Sequence, residues 1–197
     1  MVRISLLSLS LAAALAALAA CSGPAVHFRD FYSVYTPGDV RYATKDGPMP
    51  VEALGQVTLE ERLEGEALER VVARALSRFG PHWFAGGFRA IKSEDEDPLY
   101  RVRWLFNIPV GFPTHSACAR DLGTQPSGWT EETGLVVAAF CRGKRILIVA
   151  KGSYGRPGAI DTTAFPRFIG IMGREILPLR DPTRDREDED CRRLRRC

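Results

Sequence analysis

Histidine is scarce in this chain of 197 residues, which contains only His27, His82 and His115. A zinc site needs about four converging ligands, or three and a water, and none of these histidines stands at helical i, i+4 spacing with a carboxylate. The Gly-rich stretch 151–158 lacks the G-x-x-x-x-G-K-[ST] order of a phosphate-binding loop. We therefore expect no metal site and no cofactor.

The chain also has little excess charge of either sign, with 27 Lys and Arg against 24 Asp and Glu. Arg3 is the sole charged residue among the first 20, so the rest of the chain holds 26 basic and 24 acidic residues. Such a balance produces no strong net field of the kind that attracts nucleic acid. We expect no nucleic-acid partner.

The first 21 residues have the three parts of an export signal. Arg3 supplies the positive charge, residues 4–20 are uncharged and mostly Leu and Ala, and small residues precede Cys21. An apolar stretch of this length is at the low edge of what spans a bilayer, so a retained transmembrane anchor is the alternative. We expect residues 1–20 to be a signal peptide.

The sequence Leu18-Ala19-Ala20-Cys21 at the end of that stretch resembles the lipobox of bacterial lipoproteins. The resemblance implies that a diacylglyceryl group is attached to the Cys21 thiol and that the chain is cleaved just before this residue. It also implies palmitate or a similar acyl chain on the new amino group, and several acyl chains make a stable anchor. Ser22 at the next position favours the periplasmic face of the cell outer membrane over the inner membrane.

Residues 21–179 have a length that suits one domain with a sizeable core. Four further cysteines in an exported chain indicate disulfide bonds and allow three pairings. We favour a bond between Cys118 and Cys141, with Cys191–Cys197 as the second pair and free thiols as the alternative. Residues 180–197 hold many charges and one aliphatic side chain, so we expect a disordered tail.

Hydrophobic periodicity predicts two helices. The first covers at least residues 67–79, with Thr58 and Glu61 as a capping box before it and Gly80-Pro81 after it. The second begins at Asp161 or Thr162 and carries apolar residues as far as Leu177.

Strands are predicted before the first of these helices and between the two. Residues 39–44 and 51–57 form a plausible hairpin, residues 100–108 alternate as a half-buried strand, and 135–141 with 146–150 read as a central antiparallel hairpin. The order of elements predicts an α+β fold in which two helices pack on one face of a mainly antiparallel sheet.

One short stretch, "HSAC", places His115 and Ser116 close to Cys118. A Cys–His dyad needs imidazole beside a free thiolate, and a disulfide at Cys118 removes that thiolate. We therefore favour an ordinary disulfide loop here, and expect no catalytic residue and no enzymatic activity.

Taken with the anchor, these features favour a non-enzymatic, lipid-anchored envelope lipoprotein that acts as a binding or assembly module with an envelope protein partner. The first alternative is a small-molecule or lipid carrier with an apolar pocket between sheet and helices. The second alternative is a small hydrolase that uses His115 and Ser116.

Overall fold

The computed structural model describes residues 24–31, 35–84, 86–91, 97–119, 134–155 and 162–179. Cys21, the Cys191–Cys197 pair and the tail 180–197 lie outside the described residues, so their predictions remain predictions. The elements in chain order are β1 (Ala25–Phe31), α1 (Pro37–Ala43), β2 (Met49–Leu54), β3 (Gln56–Thr58), β4 (Arg62–Glu64), α2 (Gly65–Phe79), β5 (Phe88–Ala90), β6 (Tyr100–Phe106), a 3₁₀ turn (Thr114–Ser116), β7 (Leu135–Arg142), β8 (Arg145–Ser153) and α3 (Ala164–Ile176).

Six strands form one sheet in the order β1-β8-β7-β6-β2-β5, and β3 pairs with β4 in a separate small hairpin. The predicted α+β class is confirmed, but the sheet is mixed. β1, β8, β7 and β6 are antiparallel neighbours, whereas β2 runs parallel to both β6 and β5. Parallel neighbours need a long crossover connection, and α2 supplies it between β2 and β5.

The third helix, α1, explains why the predicted hairpin around residues 45–50 is wrong. Residues 39–43 belong to this helix rather than to a strand. Pro37 occupies its first turn, and the backbone N–H of Thr36 donates to Asp39 Oδ2 at 2.9 Å. A proline in the first turn and an acidic residue three positions after the N-cap Thr36 are typical of a helix N-terminus, and they outweigh the short alternation that predicts a strand.

The two long helices lie where periodicity predicts them, but α3 begins at Ala164, two residues after the predicted start at Thr162. α2 covers the predicted residues 67–79 and begins two residues earlier, at Gly65, which has φ of +52°. The capping box predicted at Thr58 is wrong because Thr58 pairs with Arg62 in the small hairpin. α2 and α3 pack on the same face of the sheet, where their apolar sides bury Trp104, Phe106 and Phe140.

The second face of the sheet is covered by the chain that follows β6. Ile108, Phe112, Ala117 and Cys118 pack there against Leu105 and against apolar residues of β7 and β8. The predicted half-buried strand, β6, is consequently buried along its whole length. Arg101 and Arg103, expected to face solvent, are 2% and 3% exposed.

Candidate binding groove

An open groove of about 510 Å³ lies at the end of the sheet where β2, β5 and β6 begin. These three strands run parallel, so their first residues meet at one end of the sheet. Helix α1 and the turn that follows it form the opposite rim. The lining residues are Tyr42, Ala43, Lys45, Asp46, Gly47, Pro48, Pro50, Arg89, Pro98, Leu99 and Tyr100.

Two tyrosine rings form the aromatic wall of the groove. Tyr42 on α1 and Tyr100 on β6 have ring centroids 5.8 Å apart, and Tyr100 stacks on Phe140 of the core at 5.9 Å. Tyr100 is buried, whereas Tyr42 is 53% exposed. The wall therefore has a rigid base in the core and an exposed aromatic ring at its rim.

Asp39 joins helix α1 to this wall. Its Oδ2 accepts the capping hydrogen bond from Thr36, and its Oδ1 accepts a hydrogen bond from the Tyr100 hydroxyl at 3.1 Å. Burial, followed by the hydrogen bond and charge of Asp39, raises the pKa of Tyr100 above its ordinary value. The phenol stays neutral and donating, so the helix and the strand are held together across the groove.

The remaining wall is made of Leu99 and three prolines, Pro48, Pro50 and Pro98. Proline has no N–H to donate, so these positions offer a ligand apolar contact rather than main-chain donors. Leu99 is 54% exposed, and its carbonyl accepts a hydrogen bond at 2.6 Å from the N–H of Gly143 in the β7–β8 turn. This bond fixes the rim that carries the exposed leucine.

Cations lie on the aromatic rings. Lys45 Nζ is 4.3 Å from the centroid of Tyr42, and Arg142 Cζ is 5.6 Å from that of Tyr100. Such contacts are cation–π interactions. Lys45 also lies 3.8 Å from Asp46, but both side chains are largely exposed, and such surface pairs contribute little. Of these two cations, Lys45 is a lining residue of the groove, and Arg142 adjoins the groove through its contact with the Tyr100 ring.

A buried ion cluster lies behind the groove on the second face of the sheet. Glu52 accepts two hydrogen bonds of 2.7 Å from Arg103, and its Oε2 is 2.9 Å from Arg101 Nε. Burial and the neighbouring Arg103 charge lower the pKa of Arg101, and Glu52 opposes that change. Arg101 Nη1 donates to Asp97 Oδ1 at 3.2 Å and to the Pro98 carbonyl at 3.3 Å, so the cluster fixes the start of the Pro98–Leu99 rim.

The same cluster holds the segment that covers the second face. Arg103 Nη1 donates to the carbonyl of Ala117 at 3.3 Å and to that of Ala119. Between these residues Cys118 is bonded to Cys141 of β7, with Cα atoms 5.8 Å apart. The predicted Cys118–Cys141 pairing is confirmed. Residues 117–119 are therefore attached to the sheet in two ways, by hydrogen bonds from Arg103 and by the disulfide to Cys141.

His115 and Ser116, the residues of the hydrolase hypothesis, lie on the 3₁₀ turn of this segment. His115 is exposed and Ser116 is half-buried. Within the described ranges no hydrogen bond joins the two side chains, and the disulfide leaves Cys118 without a thiol. The structure does not assemble a Cys–His dyad here.

A carboxylate on α2 has an unusual environment. Glu69 lies against β2, and its Oε1 accepts a hydrogen bond at 3.3 Å from the N–H of Ala53. Burial, with the nearby charges of Glu52 and Glu66, raises the pKa of Glu69 to about 7, although hydrogen bonds from the backbone of Ala53 and Ile91 oppose the change. Its carboxyl group therefore titrates near neutral pH.

In the part of the chain that the structure describes, no three His, Cys, Asp or Glu side chains are grouped closely enough to hold a metal ion. Among these same residues, no helix combines the length and apolar character needed to cross a bilayer.

Sequence reasoning did not identify the groove. Tyr42 falls in the stretch 39–44 that is predicted as a strand, and Leu99 and the three prolines of the lining lie outside every predicted element. The usable signal was proline at the start of two strands: Pro48 and Pro50 at β2, and Pro98 before β6.

Comparisons with known proteins found no matching family model, no similar curated protein and no similar solved structure.

Proposed function

We propose that this chain is a non-enzymatic, lipid-anchored protein of the bacterial cell envelope that binds a protein partner in the groove. The observation that carries the binding role is the groove itself, with an exposed tyrosine and an exposed leucine on a rigid frame. Exposed apolar side chains around a concave surface are typical of interaction sites. The lipobox-like sequence before Cys21 supports the anchor.

The direction of the strands supports a groove that faces away from the anchored end. β1 begins at Ala25 beside Ser153, the last residue of β8, and this end of the sheet is also where β6 finishes. The groove lies at the other end, where β6 begins. Six residue steps of a strand span about 20 Å. Three residue steps lead from Cys21 to Pro24, and they reach at most about 11 Å, so a lipid on Cys21 keeps the near end of the sheet close to the bilayer.

The two alternatives have less support. A carrier pocket was expected between the sheet and the helices, and large side chains such as Trp104, Phe106 and Phe165 fill that layer. The hydrolase hypothesis depends on His115 and Ser116, whose side chains are not hydrogen-bonded to each other within the described residues.

The anchor is tested by metabolic labelling with palmitate in growing cells. The chain should take up the label and remain with membranes, whereas Cys21→Ser should lose both properties. Cys197→Ser is a matched control that removes a cysteine outside the lipobox and should keep both. Label and membrane retention that persist in Cys21→Ser would disprove lipidation at this residue.

The groove is tested by placing a photo-cross-linking amino acid at Leu99 in the intact envelope. Val110 is the control position because it is 76% exposed and follows β6 at the opposite end of the sheet. A discrete protein adduct should form from position 99 and not from position 110. No adduct at 99, or equal adducts at both positions, would reject the groove as the binding site.

A further inference from the structure

We propose that the partner enters the groove as an extended peptide segment that combines apolar side chains with carboxylates. This inference rests on the proposed function and adds the chemistry of the ligand. The observation behind it is that two cations, Lys45 and Arg142, lie on the tyrosine rings of the apolar wall.

Main-chain pairing with the neighbouring sheet edge does not fit this site. β5, the edge strand beside the groove, has three residues. The N–H of its Phe88 donates to Ser77 Oγ at 3.3 Å, and its Ala90 carbonyl accepts from Arg89 Nη1 at 3.2 Å. A short edge strand on which the Phe88 N–H and the Ala90 carbonyl already have partners resists strand addition. The segment must therefore be recognised mainly through its side chains.

The apolar part of the recognition comes from Tyr42, Leu99 and the three prolines. Aromatic and proline surfaces lose little conformational freedom on binding, because they are already held in place. Rings of this kind pack well against the side chains of an extended, polyproline-like peptide. An apolar residue of the partner would lie between the Tyr42 ring and Leu99.

The acidic part comes from the charges around that apolar surface. Lys45 lies over the exposed ring, Arg142 lies over Tyr100, and Arg89 contributes to the lining. No carboxylate among the described residues forms a salt bridge with Arg142, and among the lining residues that the structure describes Asp46 is the one that carries a negative charge. Carboxylates on either side of the bound apolar residue would meet Lys45 and Arg142.

A peptide explains these features better than a membrane surface does. A lipid surface would have to reach the end of the sheet that lies opposite Ala25, whereas the proposed anchor holds the other end. The concave, proline-lined shape also suits a single chain rather than a flat array of headgroups. The occupant to be tested is thus an acidic peptide segment of another envelope protein.

The experiment uses the photo-cross-linker at position 99 in the full-length, membrane-bound chain. The adduct is isolated and its cross-linked peptide is sequenced by mass spectrometry. The same cross-linking is repeated in the double variant Lys45→Glu and Arg142→Glu. The matched control is Arg167→Glu, an exposed arginine on the first turns of α3, remote from the groove.

We expect the cross-linked peptide to contain Asp or Glu within a few residues of the adduct. The adduct yield should fall about fivefold or more in the double variant, from the loss of two charge contacts and the added repulsion, and should stay unchanged in the control. A non-acidic peptide, an unchanged yield in the double variant, a second copy of this chain, or a lipid or polysaccharide adduct would overturn the inference. The results with a non-acidic peptide, with an unchanged yield or with a second copy of this chain would leave protein binding in the groove intact. A lipid or polysaccharide adduct, or no adduct at all, would also reject the proposed function.

Discussion

Replacing Glu52 with Gln removes the carboxylate that Arg101 and Arg103 share. The two guanidinium groups are 3% and 4% exposed, and Glu52 contacts them at 2.7, 2.7 and 2.9 Å. Removing one partner from a buried ion pair costs about 3–5 kcal/mol, because the remaining charge stays buried. The amide oxygen of Gln, Asp97 and the carbonyls of residues 117 and 119 retain part of the interaction, so we expect about 2–4 kcal/mol.

A loss of that size should lower the melting temperature by about 5–15 °C for a domain of this length. The assay is thermal unfolding of the oxidised chain followed by circular dichroism. The control is Glu64→Gln, because Glu64 pairs with Arg62 at 3.2 Å while both side chains are more than half exposed. We expect this control to shift the melting temperature by less than about 2 °C.

A melting temperature within about 2 °C of the parent chain in Glu52→Gln would refute the reasoning. It would mean that solvent reaches the two arginines or that their other partners suffice. The triple variant Glu52→Leu, Arg101→Met and Arg103→Leu gives an independent check. It should recover much of the lost stability because it buries no charge.

Three other outcomes are expected. Non-reducing peptide mapping should find Cys118 joined to Cys141, and reduction should cost about 3 kcal/mol by chain entropy; finding both thiols alkylated without reduction would contradict this. The folded-state pKa of Glu69, about 7 against an ordinary 4.5, means that the folded chain binds more protons across that window, so stability should fall as pH rises from about 4.5 to about 7. The full shift corresponds to about 3 kcal/mol, and solvent screening of the half-buried Glu69 carboxyl should keep the measured loss well below that value. Its Gln variant should show a flatter profile in the same melting series, and identical profiles would reject the shift. Truncation after Leu179 should leave the melting temperature nearly unchanged, and a fall of more than a few degrees would mean that residues 180–197 pack on the domain.

The parts of the fold that sequence predicts well are those with local causes. α2 and α3 follow from helical periodicity, and the β7–β8 hairpin follows from two apolar runs around a tight polar link. The disulfide follows from two cysteines in a chain that is predicted to be exported, one of them at the end of a buried strand. Each signal lies within a short window of residues.

The parts of the fold that the sequence predicts poorly depend on contacts between residues that are far apart along the chain. The parallel pairing of β2 requires α2 to cross over, and no short window records which strands become neighbours. The burial of Arg101 and Arg103 depends on a segment that follows their strand, so their alternation looked like a solvent face. The groove forms where α1, β5 and β6 meet. Because residues 39–44 were predicted as a strand, the rim that α1 forms could not be predicted. Thr36, Pro37 and Asp39 were the local signal that could have identified α1.

The central claim is that the groove is the membrane-distal surface of a lipid-anchored domain, and its most direct test is a depth measurement. A fluorophore is attached through an unnatural amino acid at position 99 or at position 110 of the lipidated chain. The protein is then placed in vesicles that carry a quencher on the lipid headgroups. The account predicts strong quenching at 110 and weak quenching at 99, since the two positions lie at opposite ends of a sheet about 20 Å long. Equal quenching at both, or stronger quenching at 99, would contradict it.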